Sequence, residues 1–212
     1  MEFTQEEIRL KYDGEASRYD SRVSIVEWVT GIAKLRRNLL QKATGNILEI
    51  AVGTGRNFPY YPAGCTITGI DPSPAMLELA CKRAEKLHMH PRLLPMSAED
   101  LSFPDHSFDT VVSSLSLCTI PHPLSALREM TRVCRPDGKA LFLEHGRSTV
   151  AWLAQLQDRF SDAWYNQHMG CRWNREPIDL VKQAGQSILS HRRSFFGIMH
   201  TIEAAPALSS QS

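Results

Sequence analysis

Cysteine is too sparse and too scattered here to build a disulfide framework or a paired metal motif. The five cysteines stand at 65, 81, 118, 134 and 171, with no C-x-x-C pair and no zinc-like spacing. An odd, dispersed set of this kind points to free thiols in a reducing compartment. An excess of one charge is also missing. Twenty-four basic and 23 acidic residues leave a formal net charge of +1, so no global field draws the chain to nucleic acid or anionic lipid. The basic clusters Lys34-Leu35-Arg36-Arg37 and His191-Arg192-Arg193 are then expected to be solvated faces of a helix and a strand. Long apolar runs are absent too. Val23 to Ala33 is interrupted by Ser24, Glu27 and Thr30 and is too short to span a bilayer. The opening residues are acidic and polar, without the charged and apolar regions of a secretory leader. No repeat and no low-complexity segment occurs. These absences lead to the expectation of a cytoplasmic protein with no integral membrane segment and no nucleic-acid partner, a monomer or weak dimer. A mitochondrial location is the alternative if a native N-terminal segment is missing.

The 212 residues, 42% of them hydrophobic, suffice for one domain with a sizeable core. Thr4-Gln5-Glu6-Glu7 has the form of a capping box that opens a short helix towards Tyr12, followed by a linker at Gly14. Ile25, Trp28, Val29, Ile32, Leu35, Leu39 and Leu40 recur at helical spacing up to a stop at Thr44-Gly45. From there strands and helices alternate. Strands are expected at 46–51, 66–70, 92–95, 108–113 and 139–144, and helices at 74–88 and 123–134, the second closed by Arg135-Pro136-Asp137-Gly138. Alternation of this kind specifies an α/β fold, a doubly wound, Rossmann-like sheet with helices on both faces. Past Glu144 an aromatic amphipathic helix around 152–165, a helix at 177–184 and two closing strands, 187–194 and 195–204, are expected. The last two would pair as an antiparallel C-terminal hairpin. Residues 1–45 would form a helical cap, 46–145 the core, 146–204 the substrate side and 205–212 a frayed tail.

The most informative stretch is Ile47-Leu48-Glu49-Ile50-Ala51-Val52-Gly53-Thr54-Gly55-Arg56-Asn57. A buried parallel strand ends in an acid and opens into a tight turn free of side chains. A nicotinamide fingerprint would need a third small residue where Phe58 stands. Asp71 follows Glu49 by 22 residues, at the end of the second strand. It is placed either to accept hydrogen bonds from a ligand or to cap the helix after Asp71-Pro72-Ser73-Pro74. His88-Met89-His90 has no third ligand nearby in sequence, and no metal is indicated.

The acid-x-small-x-Gly-x-Gly run resembles motif I of the class I S-adenosylmethionine (SAM) methyltransferases. The segments 105–109, 117–119, 127–130, 132–138 and 143–146 follow in the order of the ubiquinone/menaquinone-type group. More narrowly they resemble the thiol-methylating methyltransferase-like proteins and the fungal mitochondrial Oms-type enzymes, and Gly170-Cys171-Arg172-Trp173-Asn174-Arg175 resembles that subgroup's Gly-Cys-x-x-x-Arg segment. The resemblance implies SAM as cofactor and S-adenosylhomocysteine as product. It implies a cofactor site of Tyr19, Glu49, Ala51, Gly53, Gly55, Asp71, Pro72, Met76, Ala98, Glu99, Asp100 and Ser114. Gly53 and Gly55 would admit the methionine part, Glu49 would meet its ammonium, Asp71 the ribose hydroxyls, and Glu99 or Asp100 the adenine amine. Tyr12 and Tyr19 match an N-terminal Tyr-Asp segment that closes over the methionine end, or are packing residues. Asp109 matches a structural position.

Ser113-Ser114-Leu115-Ser116 departs from the [D/N/S]-P-P-[Y/F/W] signature of nucleotide-amine methyltransferases, which favours a small molecule or lipid. The implied acceptor is small and apolar, a thiol first. An amine-headgroup lipid or a quinone precursor is the alternative, and a non-catalytic SAM-binding assembly factor a further one. His145 would serve as the catalytic base, or cap its strand. Cys118 would fill the core or line the pocket, and Trp152, Trp164, Tyr165, Trp173 and Phe196 would supply a lid or substrate pocket.

Overall fold

The computed structural model describes residues 2–206, without the side chains of residues 25, 26 and 28. The expected apolar contacts of Ile25 and Trp28 and the tail at 207–212 therefore lie outside the described residues. The first helix, α1, runs unbroken over Gln5–Thr30. The Thr4–Glu7 capping box forms as expected, but Gly14 lies inside the helix and not in a linker. Docking overrides the local cost of a helical glycine, roughly 1 kcal/mol. Asp13 accepts hydrogen bonds from Ser73 Oγ (2.5 Å) and the Ala75 N–H (3.3 Å), and Ile8 and Ala16 are buried. The break comes at Gly31, whose left-handed backbone (φ 69°) ends α1 and leads into α2, Ile32–Leu40.

Strands β1 (Asn46–Ile50), β2 (Thr66–Asp71), β3 (Arg92–Pro95), β4 (Phe108–Ser114) and β5 (Cys134–His145) pair in parallel. Helices α3 (Pro74–Lys86) and α4 (Pro123–Val133) lie among them in sequence, and α5 (Ala151–Gln167) and α6 (Pro177–Gln183) follow. Strands β6 (Gln186–Ser194) and β7 (Met199–Pro206) form the closing hairpin, and β7 is antiparallel to both β5 and β6. Pro206 thus belongs to a strand and not to a tail. The seven strands run in the order β3-β2-β1-β4-β5-β7-β6.

The expected stop of α4 holds, at Val133, but β5 begins at once with Cys134 and not at residue 139. The Arg135-Pro136-Asp137-Gly138 segment sits within β5, where the pairing jumps from Phe108↔Cys134 to Thr110↔Lys139. The sheet tolerates these extra residues as an irregularity, so the segment ends α4 without delaying the strand.

Alternation along each strand feeds two cores. Leu48, Ile50, Val111 and Phe142 pack with Leu127, Met130 and Val181 of α4 and α6. Ile47, Val112, Leu141 and Leu143 pack with Leu39, Leu40 and Ala80 of α2 and α3. Sequential strand order reverses between β1 and β4, and this switch point opens a crevice at the carboxyl ends of the strands.

Candidate active site

A cleft of about 1010 Å³, open mouth included, occupies that crevice. Its floor is the turn after β1. Ala51 and Gly53 both adopt positive φ (48° and 54°), and a Cβ placed on Gly53 would meet nothing closer than the Ala51 carbonyl at 4.0 Å. That open face lets a ligand approach the backbone. Gly55 serves another purpose. It does not line the cleft, and a Cβ there would lie 2.4 Å from the Phe58 ring. Phe58, in the place of a third glycine, fills the space under the turn.

Asp71 is buried at the end of β2. Its Oδ2 accepts from the Gly53 N–H (2.9 Å) and Oδ1 from the Ser73 N–H (2.9 Å). Ser73, not Asp71, caps α3, through Oγ to the Met76 N–H at 3.1 Å. Each Asp71 oxygen keeps a lone pair for the cleft it lines. Burial pushes its carboxyl up to about 6, against the two N–H bonds. Glu49 lies deeper. Its Oε1 accepts from Asn57 Nδ2 (2.7 Å) and Oε2 from the Tyr61 hydroxyl (2.8 Å), and burial raises it to about 7.

Pro72, Met76, Ala98, Glu99, Ser114 and Tyr19 line the cleft; Asp100 is exposed and does not. Glu99 Oε1 accepts from the His122 N–H at 3.0 Å. Tyr12 and Tyr19 close the α1 side, with ring centroids 6.1 Å apart. Asp109 is structural. Its Oδ2 accepts from the Asn46 N–H (2.8 Å) and its Oδ1 from Arg135 Nη1 (2.7 Å).

A charged network that the sequence did not reveal ties α1 and α2 to the glycine turn. Arg36 is 4% exposed, not the solvated face expected of a basic cluster. Arg36 lines the cleft and donates to Glu27, Asn57 and Ser114, and its buried Nε has no partner among the described residues. Arg56 joins Glu27 (2.6 Å) and Asp20 (3.1 Å), and Asp20 also receives Arg83 and the Thr54 hydroxyl (2.7 Å). Intervals of nine to 78 residues hide these partners from any local pattern. Glu144, also unforeseen, accepts from Ser113 Oγ (2.6 Å) and from the Ser116 and Leu117 N–H groups (3.1 and 3.2 Å), pinning the loop after β4.

His145 does not line the cleft. Its Nε2 lies 3.5 Å from Cys171 Sγ, with Cys118 alongside. Nor do the five aromatics expected as a lid contribute to the cleft. Trp152 and Phe196 are 67% and 63% exposed, Trp164 stacks on Trp173 at 4.2 Å, and Tyr165 stacks on Phe3 at 5.0 Å. Helical spacing placed Trp152, Trp164 and Tyr165 on α5, whereas Trp173 lies in the loop after that helix and Phe196 in the turn between β6 and β7. All five cysteines are free. No helix among the described residues is long and apolar enough to cross a membrane.

Residues 48–142 match a family described as a methyltransferase domain. The mitochondrial methyltransferase OMS1 of Saccharomyces cerevisiae is 26% identical over 91% of this chain and 45% of its own length. A phosphatidylethanolamine N-methyltransferase of Cereibacter sphaeroides is 33% identical over 68% of this chain and 74% of its own. The human thiol S-methyltransferase TMT1B is 36% identical over 65% of this chain and 59% of its own. The chain thus spans between about half and three quarters of these relatives. A solved SAM-dependent methyltransferase from Thermotoga maritima superposes with a TM-score of 0.65, covering 89% of this chain and 96% of that one at 23% identity.

Proposed function

This chain belongs to the SAM-dependent methyltransferases, and from that premise we propose that it methylates the sulfur of a small apolar thiol. The observation that carries the acceptor class is the wall facing the glycine turn. Ile8, Tyr12, Tyr19, Leu115, Ile120 and Pro121 give the cleft an apolar side, and its carboxylates, Glu27, Glu49, Asp71 and Glu99, each already accept hydrogen bonds from the protein. A relative named as a thiol S-methyltransferase supports the same choice. The relative named for phosphatidylethanolamine supports a second reading, in which the Tyr12–Tyr19 pair seats an ammonium headgroup against its ring faces.

The fit to the cofactor rests on Gly53, Asp71 and Arg36. The open face of Gly53 admits the methionine chain, and the spare lone pairs of Asp71 accept the ribose hydroxyls. The Arg36 guanidinium, which lines the cleft, suits the amino-acid carboxylate, and Glu49 the ammonium. Glu99 faces the adenine end, in preference to Asp100. When bound, SAM supplies an already activated methyl group, so the protein's main contribution is to align an in-line attack. The acceptor must be a thiolate. In this reading His145 acts through Cys171 and not directly on the acceptor.

The test is S-adenosylhomocysteine formation with alkyl thiols, ethanolamine phospholipid in micelles and a reduced quinol. Thiol-dependent turnover is expected. Inert thiols beside a reacting lipid or quinol overturn the acceptor assignment and leave the family intact.

A further inference from the structure

Cys118, His145 and Cys171 stand in three different segments and converge behind the acceptor wall. Cys118 lies in the loop after β4, His145 ends β5, and Cys171 lies in the loop after α5. Their two sulfurs and an imidazole nitrogen all lie within 4.8 Å of one another. We propose that these three side chains bind one divalent cation of the zinc class, with its fourth position open to the thiol of the acceptor. The inference rests on the thiol reading above and adds a metal to it.

The donor set is the first argument. Two thiols and an imidazole favour zinc over magnesium or calcium, which take oxygen ligands. Geometry is the second. With Zn–S of about 2.3 Å and Zn–N of about 2.0–2.1 Å, a tetrahedral site has a sulfur–nitrogen edge of about 3.5 Å. The observed Cys171 Sγ to His145 Nε2 distance is 3.5 Å.

Support around the ligands is the third. The Arg172 N–H donates to the Cys118 carbonyl at 2.8 Å, stapling the two cysteine loops together. Arg175 donates to the carbonyls of Leu117 and of Ile120, the latter at 2.8 Å, fixing the chain on either side of Cys118. The Trp173 backbone lies beside the His145 ring, the kind of neighbour that helps to hold a metal-bound histidine.

Ligand number decides the role. Structural zinc sites take four protein ligands, whereas sites with three keep a position for water or substrate. Among the described residues no fourth histidine, cysteine, aspartate or glutamate joins the group. Thr119, next to Cys118 in the chain, lines the cleft together with Tyr12, while Cys118, His145 and Cys171 themselves lie behind that lining. The cluster therefore backs directly onto the wall assigned to the acceptor.

The chemistry balances without an oxidant or reductant. Both cysteines and the acceptor thiol release their protons to solvent as they bind the metal. The acceptor sulfur forms its bond to the methyl carbon while the methyl–sulfonium bond breaks, its electron pair remaining on the departing S-adenosylhomocysteine. The product is a neutral thioether, a weaker ligand than a thiolate, which frees the fourth position.

The experiment counts metal in the full chain after loading with Zn²⁺ and dialysis. One zinc per chain is expected in the wild type, with loss in Cys118→Ser, Cys171→Ser and His145→Ala variants that still bind SAM. Absence of stoichiometric zinc, undiminished zinc in the variants, or a Cys118–Cys171 disulfide that persists with zinc present overturns the site. Loading with Co²⁺ reads the fourth position directly. A thiolate-to-cobalt absorption band that shifts with an alkyl thiol and not with an alkylamine supports it, and a band indifferent to both overturns it. Thiol turnover undiminished by a chelator overturns the metal's part while the thiol reading stands. A thiol-responsive cobalt band with no methylated thiol under any condition overturns the transfer step, and the thiol reading fails with it.

Discussion

Lowering the pH should weaken SAM binding through Glu49. This carboxyl is buried at the base of the cleft, and burial raises it to about 7 from an ordinary 4.5, against hydrogen bonds from Tyr61 and Asn57. An ammonium seated beside it favours the ionised form. Restoring the ordinary value corresponds to about 3.4 kcal/mol of coupling, at about 1.36 kcal/mol per pKa unit. Affinity should then rise roughly tenfold per pH unit from pH 5 towards 7 and level off above it. At pH 6.5, binding should release about three quarters of a proton.

The sign for the free protein is opposite. A raised carboxyl contributes stability that is fully present below its unfolded value and lost as pH rises through the folded one. The unliganded melting temperature should therefore fall between about pH 4.5 and 7, and saturating SAM should flatten that decline. Titration calorimetry in two buffers of unlike ionisation enthalpy reads both affinity and proton release. Glu49→Gln should remove the proton release and flatten the slope above pH 6. Asp71, raised to about 6, adds steepness only below that pH. Affinity flat from pH 5 to 7.5, without proton release, would refute the placement of the ammonium beside Glu49.

The two glycines of the turn should separate binding from stability. Gly53→Ala puts a methyl into the cleft and should weaken SAM at least tenfold by calorimetry, with a modest shift in melting. Gly55→Ala drives a methyl into the Phe58 ring and should cost about 1–3 kcal/mol in urea unfolding, partly restored by Phe58→Leu. Arg36→Ala removes one cation from buried Glu27 and should cost about 3–5 kcal/mol; Arg36→Lys should recover part of that stability but little SAM affinity. Gly14→Ala, inside α1 with open space at its Cβ, should stabilise by about 0.5–1 kcal/mol and raise the melting temperature.

The sequence by itself determined the α/β alternation, the glycine turn and the acids at the ends of β1 and β2. Each of these is a local feature. Strand periodicity, a turn that demands positive φ at Gly53, and a carboxylate one strand later all lie within a short window of chain. The capping box was legible for the same reason, since Thr4 and Glu7 are three residues apart. Tertiary structure alone decided which residues meet across distance. Arg36 looked like a solvated cation until α2 packed it against Glu27 and Asn57, and Gly14 looked like a break until Asp13 docked onto the start of α3. The aromatics of α5 read as a pocket because spacing shows which residues share a face but not what that face covers. The meeting of Cys118, His145 and Cys171 had no sequence signal, because adjacent strand ends and a distant loop bring together side chains that no spacing rule connects.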